Sequence, residues 1–292
     1  NLAVLKTDML VGKTDVPQQM TYWQAARKAV VMNISDLAAK GVKPIGLLVS
    51  LGIPRNLTKM DIVQIGKGLN KGAREYDTYV LGGDTNETED LVISISLFGR
   101  AEKGSIILRN GASPGDILAT TGLFGLASSG LQILTKKLAV PLKIERKLSE
   151  AVLMPSARLK EGVAMAETGA ITASIDSSDG LAWSLHEIAH ASKVGFLIDA
   201  LPIAPETYEI AKLCDLNPIE LCLYGGEEYE LIVTIKPSCW EKVKHKIGDQ
   251  GGRLFRIGKA IAEEKLILRW MGKMIEIDRR GYEHLRTGRS NI

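Results

Sequence analysis

Apolar residues at Ala26, Ala29, Val30, Ile34, Leu37 and Ala38 recur at helical spacing and predict a helix over Ala25–Gly41, closed by Gly41 with Pro44 just beyond. A strand is expected before it, from Leu2 to Leu10, running into Lys6-Thr7-Asp8 and then a polar loop with Asp15 and Pro17. After it the pattern gives a strand at Ile45–Ile53 and a helix capped by Thr58 and running to about Tyr76. A short strand ending in Gly82-Gly83-Asp84-Thr85 follows, and then a clean alternation over Leu91–Gly99. The first hundred residues thus read β-α-β-α-β-β, with Ile106–Leu108 as a further candidate strand.

Arg109-Asn-Gly-Ala-Ser-Pro-Gly-Asp116 has the Gly and Pro content of a boundary loop, dividing an N-terminal region 1–108 from a C-terminal region 109–292. Beyond it the pattern predicts a strand at Ile117–Thr121, helix within Glu150–Glu167 interrupted near Pro155, and a strand Ile171–Ile175. Next come a helix from Leu181 to about Ser192, a strand Gly195–Ile198, a helix from Pro205 and a strand Leu231–Ile235. The last elements are a helix Ser238–Ile247 and strands near Leu254–Ala260 and Leu266–Trp270. Gly251-Gly252 and Gly272 read as tight turns.

Hydrophobic residues make up 45% of the 292 and charged residues 24%, the balance of a water-soluble globular chain. No apolar run approaches the roughly 18–20 residues of a membrane helix. A net charge of +3, with Lys and Arg scattered and aromatics at 5%, argues against a nucleic-acid surface. Cys214, Cys222 and Cys239 form no CxxC pair, which points to a reducing compartment, the cytoplasm, rather than to a disulfide framework. The chain opens at Asn1 in strand-like sequence without an initiator Met, so an upstream segment is expected.

The chemistry lies in acidic residues. Asp36 sits with Asn33 on one face of the small-residue helix, where burying a carboxylate requires a positive partner. Lys40 is the candidate at helical spacing, and a solvated ion pair is the plainer reading. Three strand ends then repeat one design, an apolar strand stopping at an Asp among small residues: Thr7-Asp8, Gly83-Asp84-Thr85 and Asp176-Ser177-Ser178-Asp179-Gly180. Such carboxylates, gathered without a basic cluster, call for a cation, and oxygen ligands without His or Cys select Mg²⁺ or Mn²⁺. Two motifs are set aside. His186-Glu187-Ile-Ala-His190 fits a zinc helix, but His245 and His284 supply no convincing third ligand, so both histidines read as helix surface. Gly122-Leu-Phe-Gly125 resembles a phosphate loop without its Lys-Ser/Thr ending.

Five motifs occur in order: Asn33-Ile-Ser-Asp-Leu-Ala-Ala-Lys-Gly41, Gly82-Gly-Asp-Thr85, Arg109-x-Gly-Ala-x-Pro-Gly-Asp116, Asp176-x-Ser-Asp-Gly180 and Gly225-Gly-Glu-Glu-Tyr-Glu-Leu231. Together they resemble the thiamine-monophosphate kinases, archaeal in type, of the aminoimidazole-ribonucleotide-synthetase-like ATP-binding superfamily. The resemblance implies an α+β protein with a dimerising N-terminal domain of mixed or antiparallel sheet with helices, and a C-terminal α/β sandwich. It implies a homodimer that uses ATP, several Mg²⁺ ions and thiamine monophosphate. It implies metal ligation by Thr7 (backbone), Asp8, Asp36, Asp84, Asp176 and Asp179, with Asp36 and Asp179 nearest the transfer. Gly83, Asp84, Arg109 and Ser178 would meet ATP, and Glu227 and Tyr282 the thiamine phosphate. Asp15 stands where many bacterial members carry His, Lys6 where Ser or Thr is common, and Glu228 where Asp is usual. Selenophosphate synthetases, hydrogenase-maturation dehydratases and purine-pathway synthetases are sister alternatives, and a catalytically silent nucleotide-binding dimer is another. No Cys lies near the N-terminus, and Arg289-Ser-Asn-Ile292 carries no carbamoyl-accepting Cys.

Overall fold

The computed structural model describes residues 2–282, so His284 and Arg289–Ile292 lie outside it. β1 (Leu2–Val11) leads through one helical turn, α1 (Gly12–Asp15), into α2 (Tyr22–Lys40). β2 (Lys43–Ile53), α3 (Lys59–Glu75), β3 (Val80–Glu87) and β4 (Val92–Ala101) complete the first sheet, in the order β1-β4-β2-β3. β2 and β3 pair in parallel and the other neighbours antiparallel, so the sheet is mixed. The expected β-α-β-α-β-β order is present. Thr21 and Thr58 each close a reciprocal capping box at the starts of α2 and α3, and Gly41 ends α2 in the left-handed conformation.

Ile106–Leu108 is not a strand. Its backbone bonds go singly to separate elements, the Ile107 N–H to the Lys40 carbonyl and the Leu108 carbonyl to the Ser174 N–H, so no ladder forms.

A second sheet of seven strands has the order β11-β10-β7-β9-β5-β8-β6. Its chain runs through β5 (Ile117–Thr120), α4 (Leu126–Lys136), α5 (Leu142–Leu153), α6 (Leu159–Thr168), β6 (Ile171–Asp176), α7 (Leu181–Ser192) and β7 (Gly195–Ile198). It continues with α8 (Pro205–Cys214), α9 (Pro218–Tyr224), β8 (Leu231–Ile235), α10 (Trp240–Gly248), β9 (Phe255–Ile261), β10 (Leu266–Trp270) and β11 (Lys273–Glu276). The fold is α+β, with Pro155 in the gap between α5 and α6 as expected. Among the described residues, no helix is long and apolar enough to cross a membrane.

The two sheets share a core. Leu231, Val233 and Ile235 of β8 join one buried cluster with α2, α6 and the inner face of the first sheet. The alternate residue Ile232 faces a second cluster built on Leu181, Leu185 and Ile188 of α7. Helix α2 therefore lies between layers and is buried on most of its circumference, from Ala25 to Ala39. Small residues make this possible. A Cβ placed on Gly162 of α6 would come within 2.0 Å of the Ala38 carbonyl oxygen, so the crossing needs a glycine.

Gly162→Ala is expected to lower stability by about 1–3 kcal/mol through overpacking, although Ala is the better helix former by about 1 kcal/mol. Urea unfolding measures the sign. A stabilised variant would show that α2 and α6 separate without cost.

Candidate active site

The inner face of β1 carries Lys6 and Asp8 beside α2. Lys6 Nζ lies 2.7 Å from Asp36 Oδ2 and 3.8 Å from Asp8 Oδ2. The positive partner that Asp36 needs thus comes from across the core and not from its own helix. Lys40 reaches the Ser174 carbonyl instead, at 3.4 Å. The buried Asp176, at the end of β6, accepts a hydrogen bond of 2.7 Å from the Ser35 hydroxyl of α2. Burial and then the negative charge of Asp36 raise its carboxyl to about 6, opposed by the Ser35 hydroxyl and Lys6. Burial disfavours the Lys6 ammonium, yet Asp36, Asp8 and Asp176 together outweigh it and raise its pKa.

A second set of contacts joins the loop 225–230 to α2. Lys28, fully buried, pairs with the Glu227 carboxylate and donates 2.8 Å to the Asp15 carbonyl. Asp15 in turn accepts the Val11 N–H at 2.7 Å, which closes α1 against β1. The loop is strained, with Glu227 and Tyr229 both at positive φ (65° and 52°). Its neighbours hold it. Glu228 accepts the N–H groups of Gly125 (2.7 Å) and Ala127 (3.1 Å) at the N-terminus of α4. Glu230 accepts from Arg158 at Nε (2.8 Å) and Nη2 and from the Thr121 hydroxyl (2.7 Å). The loop resembling a phosphate loop is thus already occupied by the chain's own carboxylate.

Ser178 and Asp179 precede α7 and lie against the same loop. The Ser178 carbonyl accepts the Glu227 N–H at 2.7 Å, and the Asp179 carbonyl accepts the Tyr282 N–H at 3.1 Å. Arg109 pairs at 3.0 Å with Glu187, which also takes Arg279 at 2.9 Å. Glu187 is therefore a clamp for two arginines. His186 Nε2 contacts the Ile277 carbonyl at 2.9 Å, and His190 is exposed, so the zinc-like motif is spent on packing and surface.

Asp84 and Gly83 are not brought to this cluster. β1 and β3 are opposite edges of the first sheet, about 14 Å apart at three strand spacings. Asp84 is in register with Ser50, Ser94 and Met9, a row on the face turned away from α2; Thr7 shares that face through Ser96. Gly83 has a structural cause, because a Cβ there would sit 1.8 Å from the Val49 carbonyl oxygen.

The residue pattern does not reveal Lys28, Ser35 or Glu187 as parts of the site. Only Lys28 left a signal, a charge within an Ala-rich helix predicted to be packed.

The chain matches the AIR synthase related protein N-terminal domain over residues 1–101 and the corresponding C-terminal domain over 113–271. Thiamine-monophosphate kinase of Pyrococcus horikoshii is 36% identical over 287 residues, 98% of this chain and 87% of that protein. The chain belongs to the thiamine-monophosphate kinase family. The family's Nitrosopumilus maritimus member is 36% identical, over 97% of this chain and 89% of its own length. The solved structure of AaThiL complexed with AMPPCP and TMP superposes with a TM-score of 0.86 at 27% identity, covering 97% of this chain and 87% of that one. The thiamine-monophosphate kinases are phosphotransferases.

The donor set fits a hard divalent cation. It is all oxygen, Asp176 is strained by Asp36, and the buried Ser177 hydroxyl next to Asp176 has no hydrogen-bond partner. Among the described residues no three acidic, His or Cys side chains form a ready-made cage. Mg²⁺ commonly takes one or two carboxylates and completes its shell with phosphate oxygens and water.

Burial raises the Glu228 carboxyl to about 8 from 4.5, against the N–H groups of Gly125 and Ala127. The folded state thus holds a proton that the unfolded chain releases; stability from this group is complete below about 4.5 and lost as pH rises through about 8. The wild-type melting temperature is expected to fall between pH 6 and 9 more steeply than that of Glu228→Gln, which keeps both acceptor contacts without a charge. Parallel pH profiles would show that Glu228 does not titrate there.

Proposed function

We propose that the chain transfers the γ-phosphoryl group of ATP to the phosphate of thiamine monophosphate, giving thiamine diphosphate and ADP. The observation that carries this reading is the meeting of Asp8, Asp36 and Asp176 from three elements beside the Glu227 loop, in a chain alike over nearly its whole length to the kinases above.

An oxygen of the acceptor phosphate attacks the γ-phosphorus in line as the bond to the ADP oxygen breaks. No side chain is needed as covalent nucleophile, and the acceptor phosphate is already largely ionised, so a general base is dispensable. Mg²⁺, when bound, offsets the repulsion between two anionic reactants. Asp8, Asp36, Asp176 and Asp179 are the ligands we assign to it; Asp84, with the Thr7 backbone, opens on the other face of the first sheet and is assigned to a separate ion. Arg109 and Ser178 are assigned to the nucleotide, Arg109 exchanging its Glu187 partner for phosphate oxygens, while Gly83, on the far edge of the first sheet, is left with its packing role. Asp15, Glu227 and Tyr282 are assigned to the thiamine phosphate, with Lys28 fixing the first two relative to each other. Lys28 also brings positive charge toward the acceptor loop.

A homodimer and a cytoplasmic setting belong to the same reading. The outer face of the first sheet exposes Leu5, Met9, Leu48, Leu81 and Phe98, an apolar surface suited to a second copy, and Asp84 and Thr7 open onto it. Three unpaired cysteines suit a reducing compartment. We place the domain boundary between residues 108 and 109.

The test is a transfer assay with ATP, Mg²⁺ and either thiamine monophosphate or thiamine. Equal amounts of thiamine diphosphate and ADP are expected from the monophosphate only, abolished by EDTA. Asp36→Asn, nearly isosteric, should keep its fold by circular dichroism and lose at least about a hundredfold in rate. ADP released without thiamine diphosphate would exclude this acceptor, and an undiminished Asp36→Asn rate would remove Asp36 from the site.

A further inference from the structure

We propose that the Lys6 ammonium is a tethered cation that takes the place of one metal ion between Asp36 and Asp8. The inference rests on the metal-nucleotide reading of the site. Its basis is geometric. Lys6 extends from the inner face of β1 into the acidic cluster, and its Nζ stands at hydrogen-bond distance from Asp36 Oδ2 and at 3.8 Å from Asp8 Oδ2. No other ion pair of Asp36 is present among the described residues, since Lys40, one turn along α2, is spent on the Ser174 carbonyl. The ammonium fills the space between Asp36 Oδ2 and Asp8 Oδ2, so an ion bridging these two oxygens would have to displace it, while the remaining lone pairs of both carboxylates stay open to other ions.

Charge bookkeeping shows why the replacement is partial. Three carboxylates, Asp8, Asp36 and Asp176, face the Lys6 ammonium, and Lys40 adds its field at Asp176 and Asp36, so ionisation of all three still leaves the acids outnumbering the cations. One ammonium holds the cluster together before substrate arrives, and the remaining charge is left for ions that come with the nucleotide. A chain with a small hydroxyl residue at position 6 lacks the built-in charge and has room for one more ion. Lys6 thus sets how many metals this enzyme takes and makes the empty site less dependent on them.

The experiment counts Mn²⁺ bound per chain in the presence of saturating AMPPCP, from the free-Mn²⁺ electron paramagnetic resonance signal, for wild type, Lys6→Ser and Lys6→Ala. Both variants are expected to bind one more Mn²⁺ than wild type. Without metal both should melt below wild type, with Mn²⁺ alone restoring them, which also verifies that they fold. Equal, non-zero counts in all three proteins overturn the tethered cation alone. An extra ion in Lys6→Ser but not in Lys6→Ala also overturns it, since the new hydroxyl rather than the lost ammonium would then create the site. No bound Mn²⁺ in any of them overturns the metal-nucleotide reading as well.

Discussion

A helix buried between two sheets has to satisfy every charge it carries, and α2 carries four that matter. Arg27 reaches Glu75 of α3 (2.7 Å) and the Pro155 carbonyl (2.8 Å), Lys28 reaches Glu227 and Asp15, and Asp36 reaches Lys6. Lys40 ends on the Ser174 carbonyl of β6. Each contact links α2 to a different part of the chain, so the packing of one helix aligns the first sheet, the second sheet and the loops at their ends. A buried charge that loses its partner is costly, on the order of 3–5 kcal/mol, which makes these alignments hard to relax.

The site follows from that constraint. Loops at strand ends are free to move unless held, and here the acidic ones are held by the helix. Ser35 holds Asp176, and Lys28 holds the strained Glu227 turn against Asp15. Glu228 and Glu230 anchor the other side of the same turn on α4 and Arg158. The positive φ at Glu227 and Tyr229 persists because the surroundings leave no alternative, a usual condition for a functional loop. The charged groups of the site, the mutually repelling acids included, are thereby fixed before any substrate binds.

Much of this was legible in the residues. The helix over Ala25–Gly41, its glycine end and Asp176 at the end of its strand follow from periodicity and turn chemistry, whereas Asp8 and Asp84, expected at strand ends, lie inside β1 and β3 because those strands pair on past them. What stayed hidden depends on distance in the chain. Spacing along a helix shows Lys40 beside Asp36, whereas the actual partner Lys6 is thirty positions away on a strand, and its nearness exists only once α2 packs on β1. Likewise the gathering of acidic loops suggested one cluster, but sheet order and register send Asp84 to the far edge and outer face. The short α9 escaped periodicity because seven residues give two turns at most, although Asn217 followed by Pro218 is a helix-start signal that could have marked it. The strand β11 is four residues long and fully exposed, so no apolar alternation betrays it.

The central claim, that buried charges on α2 hold the acceptor loop in place, is tested most directly by a double-mutant cycle on Lys28 and Glu227. Unfolding free energies of wild type, Lys28→Met, Glu227→Gln and the double variant isolate their interaction. Coupling of about 1–3 kcal/mol, with the double variant less damaged than the two single losses together, is the expected result. Additivity within about 0.5 kcal/mol would contradict the account, because the helix and the loop would then be holding their places independently.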